Sequence, residues 1–361
     1  MAKLALTLTA AFLLFALTNN ARAQIRVSTY RLHQPSFTEL DSVSRFWSLE
    51  HKLPNGDFDI DIPATDANLL RTLVPSATLQ TSDVAREINT SLAQFSLSAI
   101  AQRYHSFDEV QAWMRSMQNS YALLAKVVPY GTSRGGKALT ALRLSAEPTD
   151  RPEIPQVMIT AATHGDELIT TEVVIALVEK LAAGYDVDSR LTSILRNRVI
   201  YFVPVVNADG FVSRNRYDGN ADPNRSYPWP SQPNATPSPS IDALIKFFHA
   251  HDFKATLDLH AYGELTMFPW AYTRSHVEGE PYNRMDALTK AMSEQNGYTH
   301  GPIAETIYVA QGSSADYYFW KKGTAGLAVE IGESKVPSPS QFPAIFASQE
   351  ESTWRFLEGR Y

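Results

Sequence analysis

The sequence predicts an α/β protein in which a large sandwich around a mostly buried mixed sheet follows a small α+β module. Three observations carry this. The runs 139–144, 156–162, 199–206, 255–260 and 326–331 are nearly continuous apolar stretches of strand length, as expected of strands covered on both faces. Stretches of helical period lie between them, at 170–183, 241–250, 282–296 and 349–357. Residues 24 to about 81 keep a separate rhythm of short alternating strands and two helices.

Composition narrows the class further. The chain has 361 residues, 44% hydrophobic and 19% charged, enough to bury a full core and unlike a disordered or membrane-embedded chain. A net charge of −6 argues against nucleic acid as the main partner. Lys3, the apolar run 4–17 and Ala21-Arg22-Ala23 read as a signal peptide cut after Ala23, with a mature start at Gln24. The run is too short for a comfortable membrane span, and without cysteine there is neither a disulfide nor a lipidated cysteine. A secreted or periplasmic protein with no membrane anchor is the expectation.

The N-terminal module, 24–81, opens with an extended Ile25, Val27 and Thr29. Ser36-Phe37-Thr38-Glu39 then forms a capping box, with Leu40, Val43, Phe46 and Trp47 on one helical face. Asn55-Gly56 supplies a hairpin turn, and the returning strand alternates Phe58, Ile60 and Ile62 with Asp57, Asp59 and Asp61. A second helix from Thr65 buries Leu69, Leu70 and Leu73, and a last strand lies near 77–80. The β-α-β-β-α-β order is ferredoxin-like. A connecting helix at 82–103 leads to the larger domain, 104–361, where Ser106-Phe107-Asp108-Glu109 is another capping box. Five prolines mark 227–240 as a surface loop.

Polar residues at strand ends carry the chemistry. His164 and Glu167 follow the 156–162 strand, where open α/β sheets place their ligands, and both can reach one metal. His260 closes another strand; alone it reads rather as a core histidine bonded to backbone, but beside His164 and Glu167 at the end of another strand it reads as a third ligand. Asn224 and Arg225 can grip a carboxylate, the arginine with two parallel bonds, or form a solvated turn. Glu330 lies inside an apolar strand, where a carboxylate is costly unless paired or facing a cavity, so it is a candidate general base with Glu333 as the alternative.

The set H-G-D-E, N-R, L-H-A-Y, T-I-Y-V-A-Q-G-S-S-A-D and A-V-E-I-G, in this order, resembles the zinc metallocarboxypeptidases of the pancreatic carboxypeptidase A/B superfamily (funnelins). The resemblance runs from about Tyr104 to the C-terminus, and the N-terminal module resembles the family's activation propeptide. It implies the phosphorylase/hydrolase-like sandwich of zinc carboxypeptidases and one Zn2+ held by His164, Glu167 and His260. It further implies Glu330 as general base, Asn224 and Arg225 on the substrate's terminal carboxylate, and Tyr308 as a mobile cover. Arg216 matches the arginine that polarises the scissile carbonyl, with Arg214 the competitor.

Ala315 matches the main specificity position, and Ala271 another where an acid signals basic specificity. A neutral pocket for apolar or aromatic C-terminal residues follows, with Glu305 left as a source of acidity. Peptide or protein C-termini are the implied substrates. An activating protease acting near Arg86 or Arg103 is the implied partner, and Asp57, Asp59 and Asp61 are placed either over the site's arginines or in solvent. Cell-wall peptides, small-molecule deacylation on the same fold and non-catalytic carboxylate binding are the competing readings.

Overall fold

The computed structural model describes residues 25–49, 51–53, 55–96 and 104–361. The expected signal peptide and start at Gln24, Arg103 and the end of the connecting stretch lie outside the described residues.

The N-terminal module contains β1 (Val27–Leu32), α1 (Phe37–Ser44), β2 (His51–Lys52), β3 (Phe58–Pro63), α2 (Ala67–Leu73) and β4 (Thr78–Thr81). Its sheet runs β2-β3-β1-β4, with every pairing antiparallel. Ser36 caps α1 with the expected capping box. Tyr30, Leu32, Val43, Trp47, Ile60, Ile62 and Leu70 form the module's core. Phe46 and Leu69 instead face solvent, at 57% and 40% exposure. For Phe46 the reason is that α1 stops at Ser44, so helical spacing no longer directs the ring inward.

The alternating strand β3 is buried on both faces, because Asp57, Asp59 and Asp61 are only 6%, 5% and 3% exposed. The solvated-face reading therefore fails. Asp59 takes a bidentate pair from Arg31 and a bond from the Tyr262 hydroxyl. Asp61 accepts from Thr29 and from Lys335, which also reaches Asp166 at 2.9 Å. These contacts carry β3 onto the larger domain at Tyr262 and Lys335.

After α3 (Val84–Ser96) comes the larger domain. Its elements are α4 (Phe107–Ser120), β5 (Ala125–Thr132), β6 (Ala138–Leu144), β7 (Gln156–Ala161), α5 (Leu168–Gly184), α6 (Ser189–Asn197) and β8 (Val199–Val203). Then follow α7 (Ala208–Ser213), α8 (Pro239–His249), β9 (Phe253–His260), β10 (Leu265–Phe268) and α9 (Glu280–Ser293). The chain finishes with β11 (Thr299–Pro302), α10 (Ile303–Thr306), α11 (Ser314–Lys322), β12 (Ala325–Glu330) and α12 (Phe342–Glu358). Helix α8 starts at Pro239, so the proline-rich loop ends at Ser238, two residues earlier than expected; proline is well suited to a helix's first position.

Eight strands run β11-β10-β12-β9-β7-β8-β6-β5. The four central ones, β12, β9, β7 and β8, are mutually parallel. Helices cover both faces. On α5, Val173, Val174, Leu177, Val178 and Leu181 are all buried, each worth about 1.5–3 kcal/mol of apolar transfer. On the opposite face Ile241, Leu244, Phe247 and Phe248 of α8 pack with Tyr317 and Tyr318. Because the central strands are parallel, their carboxyl ends meet at one edge, and register sets Glu330 beside His260. This alignment builds the site.

Candidate metal centre and substrate clamp

The loop after β7 turns sharply at Ala162, whose φ of +47° is a left-handed conformation that an alanine rarely adopts. Gly165 passes so close to α7 that a Cβ there would lie 2.1 Å from Gly210 and 2.3 Å from the Phe211 nitrogen. Only glycine fits, which explains the small residue inside His164-Gly165-Asp166-Glu167. Glu167 then sits immediately before α5 as its N-cap.

His164, Glu167 and His260 converge in a buried cluster whose ligand atoms lie within 4.8 Å of one another. His164 Nδ1 is 2.6 Å from Glu167 Oε1, and His260 Nδ1 is 3.1 Å from Glu167 Oε2 and 3.2 Å from His164 Nδ1. Ligands about 2.0–2.1 Å from a tetrahedral zinc stand about 3.3 Å apart. The separations thus suit a zinc ion, and two ring nitrogens turned toward each other beside a carboxylate are placed to share a cation. Burial opposes ionisation of Glu167, but the two imidazoles outweigh it and hold its carboxyl well below the usual range.

The far nitrogens of both rings also face carboxylates. His164 Nε2 lies 3.3 Å from Asp222 Oδ1, and His260 Nε2 lies 3.1 Å from Asp258 Oδ2. A carboxylate there fixes the tautomer and frees the near nitrogen's lone pair for metal. Burial works against Asp222, but Arg216, His164 and Arg225 keep it well below the usual carboxylate range. Sequence reasoning singled out neither acid for this role. Asp222 was visible only as part of the Asn-Arg motif, and Asp258 as a polar interruption of an apolar strand.

Arg216 is 2% exposed and points into the cluster, with bonds of 3.0 and 2.8 Å to Asp222 and an approach of 3.9 Å to Glu167. Asn207 holds the loop that carries it, donating to the Arg216 carbonyl. Arg214 caps α7 in a left-handed conformation, and its guanidinium stacks on Phe211, 5.0 Å from the ring centre. Of the two competitors, Arg216 is therefore the one at the site.

Glu330 is half-buried, and its Oε2 has no hydrogen-bond partner among the described residues. Burial pushes its carboxyl up to about 8, with His260 pulling the other way and Glu167 reinforcing the rise. The alternative, Glu333, is exposed. Asn224 and Arg225 lie on a short turn whose start is capped by Asp222. The Asn224 oxygen accepts from the Ser314 backbone at 2.9 Å, which leaves its NH2 toward the cluster, 3.1 Å from His260 Nε2. Asp258 and that NH2 cannot both bond one ring nitrogen. With Nδ1 turned to a metal, Nε2 keeps its proton and donates to Asp258, so the amide makes no bond to the ring.

Arg225 donates to the Tyr308 hydroxyl at 2.7 Å. Tyr308 also packs against the apolar core of the N-terminal module. Ser48 of that module donates to Asp222 at 2.6 Å. Between the two parts remains a cavity of about 910 Å³, lined by Trp47, Asp222, Arg225, Trp229 and Tyr308 among others. Ala315 is buried with Met267, Ala271, Ile303, Ala310 and Ala328 in an apolar cluster that Ile307 and Tyr308 adjoin. Glu305 is exposed and pairs with His276 at 2.6 Å. Asp316, just past Ala315, accepts from the Ala271 and Tyr272 backbones, and burial pushes it up to about 7.

Fold and cluster together define an α/β protein with a His₂Glu metal-binding centre at the carboxyl edge of its parallel strands. Residues 110–352 match the zinc carboxypeptidase family, Peptidase_M14, and the chain belongs to it. Mouse carboxypeptidase A1 is 26% identical over 255 residues, 60% of this chain and 59% of its own length. Carboxypeptidase B of the crayfish Astacus astacus is 29% identical over 62% of this chain and 83% of its own. The chain thus spans about 59% of the length of the first of these curated relatives. The same fold occurs in carboxypeptidase A from Helicoverpa armigera, with a TM-score of 0.74 and 17% identity over 92% of this chain and 96% of that one. Thrombin-activatable fibrinolysis inhibitor gives 0.70 and 18% over 93% and 98%, so the likeness takes in the N-terminal module.

Proposed function

We propose that the chain is an exported zinc metallocarboxypeptidase, made with an inhibitory N-terminal module, that removes neutral, apolar C-terminal residues from peptides or proteins. The observation that carries this is one edge of one sheet bearing a His₂Glu cluster, a Glu330 carboxyl oxygen without a partner among the described residues, and an asparagine–arginine pair. A zinc ion held by His164, Glu167 and His260 polarises a carbonyl and acidifies water when bound. Arg225, with the Asn224 amide, holds the substrate's terminal carboxylate, so that only the last peptide bond reaches the centre. Arg216, buried and oriented by Asp222, offers its guanidinium to the oxygen on which charge develops.

Glu330 acts as general base. It takes one proton from the attacking water as the new C–O bond forms and delivers it to the departing amine as the C–N bond breaks, consuming one water per bond cleaved. A carboxyl oxygen with no partner among the described residues is open to that exchange. The apolar cluster around Ala315, with Glu305 turned to the surface, supports the neutral preference.

The N-terminal module supports a zymogen reading because it touches Asp222 through Ser48 and packs on Tyr308. Arg86 is exposed on α3 and open to an activating protease. Export rests on the signal-like segment; among the described residues no helix is long and apolar enough to cross a membrane.

The test is release of the last residue from blocked dipeptides ending in phenylalanine, leucine, lysine or glutamate. Protein is used uncut and cut in α3, with and without a zinc chelator. Chelator-sensitive release of phenylalanine or leucine that rises on cutting is expected. Zinc-loaded protein that releases no residue from any of them overturns the reading.

A further inference from the structure

We propose that Asp258 is a positioning residue that fixes His260 for the metal and ties the metal centre to the substrate clamp through Ser314. The inference rests on the zinc reading above. Asp258 lies on β9 two residues before His260, is 3% exposed, and has both carboxyl oxygens engaged. Oδ1 accepts from the Thr160 and Thr163 hydroxyls at 2.8 and 2.9 Å. Oδ2 accepts from the Ser314 hydroxyl at 2.8 Å and faces His260 Nε2 at 3.1 Å. Three hydroxyl donors and one imidazole around a single buried carboxylate fit an ionised acceptor, not a neutral acid. An acceptor at that point requires the proton on Nε2 and leaves the Nδ1 lone pair directed at Glu167 and His164, where the metal belongs.

Ser314 extends the arrangement. Its hydroxyl holds Asp258, while its backbone N–H holds the Asn224 oxygen at 2.9 Å. It also opens α11, the helix that carries Ala315. His260, Asp258, Ser314 and Asn224 therefore form a chain of partners that joins a metal ligand, the carboxylate clamp and the start of the specificity helix. The hydroxyls of Thr160 and Thr163 fix that chain to β7 and the loop after it. Substituting asparagine for Asp258 preserves shape but reverses polarity at one oxygen. If Oδ1 keeps Thr160 and Thr163, an NH2 replaces Oδ2 and now donates. Ser314 can rotate to accept it, whereas His260 must then shed the Nε2 proton and carry it on Nδ1, blocking the ligand position.

The experiment is zinc competition against a fluorescent chelator on the full chain, for the unsubstituted protein, Asp258→Asn and Ser314→Ala. Heat unfolding of each zinc-free protein is followed alongside. Asp258→Asn is expected to bind zinc about 10- to 100-fold more weakly, the usual cost of removing such a partner, with a folded zinc-free state. Ser314→Ala, which loosens the same oxygen without changing charge, is expected to lose several-fold, and decides the matter if Asp258→Asn does not fold. Zinc affinity unchanged in the folded variants overturns the proposal and reduces Asp258 to a packing residue. Failure of the unsubstituted chain to bind zinc would instead strike the zinc reading itself.

Discussion

In the uncut chain the substrate's carboxylate must displace Tyr308 from Arg225, so Tyr308→Phe should make the clamp bind more tightly, not less. The phenol oxygen accepts from the Arg225 guanidinium at 2.7 Å, and the ring sits 5.6 Å from it and against the N-terminal core. Phenylalanine keeps the ring and its packing and removes only the acceptor. A hydrogen bond to a charged group is worth about 1.5–3 kcal/mol, and 1.36 kcal/mol is tenfold, so the gain is about 10- to 150-fold. The cavity of about 910 Å³ beside Arg225 leaves room for a small ligand. Titration calorimetry of N-acetylphenylalanine into uncut protein reads the effect without any catalysis. Arg225→Gln in the same background should abolish binding and shows that the clamp is what is being measured. Binding by Tyr308→Phe that is equal to or weaker than the unsubstituted chain's refutes the argument that Tyr308 occupies the clamp.

The remaining predictions concern the base, the contact between the modules and the pocket. Glu330→Gln should lower peptide release at least about 100-fold with zinc content unchanged. In zinc-free protein the raised Glu330 carboxyl contributes stability that is full below its ordinary pKa of 4.5 and is lost as pH rises through about 8. Denaturant midpoints at pH 5 and 8 should therefore fall less with pH in Glu330→Gln, and identical slopes would contradict the shift. Lys335→Met takes the ammonium from buried Asp61 and Asp166, a loss of about 3–5 kcal/mol shared between docking and folding. Faster tryptic cutting in α3 is the expected result, and an unchanged rate would show that this contact does not hold the module. Ala315→Asp should depress phenylalanine release at least about tenfold and introduce lysine or arginine release, because an unpaired carboxylate in that apolar cluster is costly until a cation meets it. No change in preference would place the pocket elsewhere.

Much of this was legible from residue order. The buried strands announced themselves because strands covered on both faces carry near-continuous apolar runs; the four parallel strands and the antiparallel β6, five of the eight in the sheet, were found this way. The strands β5, β10 and β11 were not. β5 contains Pro129 and Gly131 with a register shift between them, and β11 is Thr-His-Gly-Pro. Such sequences become strands only because a neighbour supplies the pairing. The acidic residues of β3 looked like a wet face by alternation, yet Lys335 and Tyr262, 270 and more residues away in one case and about 200 in the other, cover them.

By itself the sequence determined most of the buried strands and their flanking helices, and put His164, Glu167, His260 and Glu330 in or just after such strands, because apolar runs and the polar residues that interrupt or end them are local facts. Tertiary structure alone brought Arg216 to Asp222 and Glu167 and laid Arg214, which caps α7 in a left-handed conformation, over Phe211. It also decided that Asp222 and Asp258 stand behind the histidines and that Tyr308 rests on Arg225. The physical reason is that orientation depends on partners brought from distant segments, and the pattern along a chain records which residues are buried but not what they face.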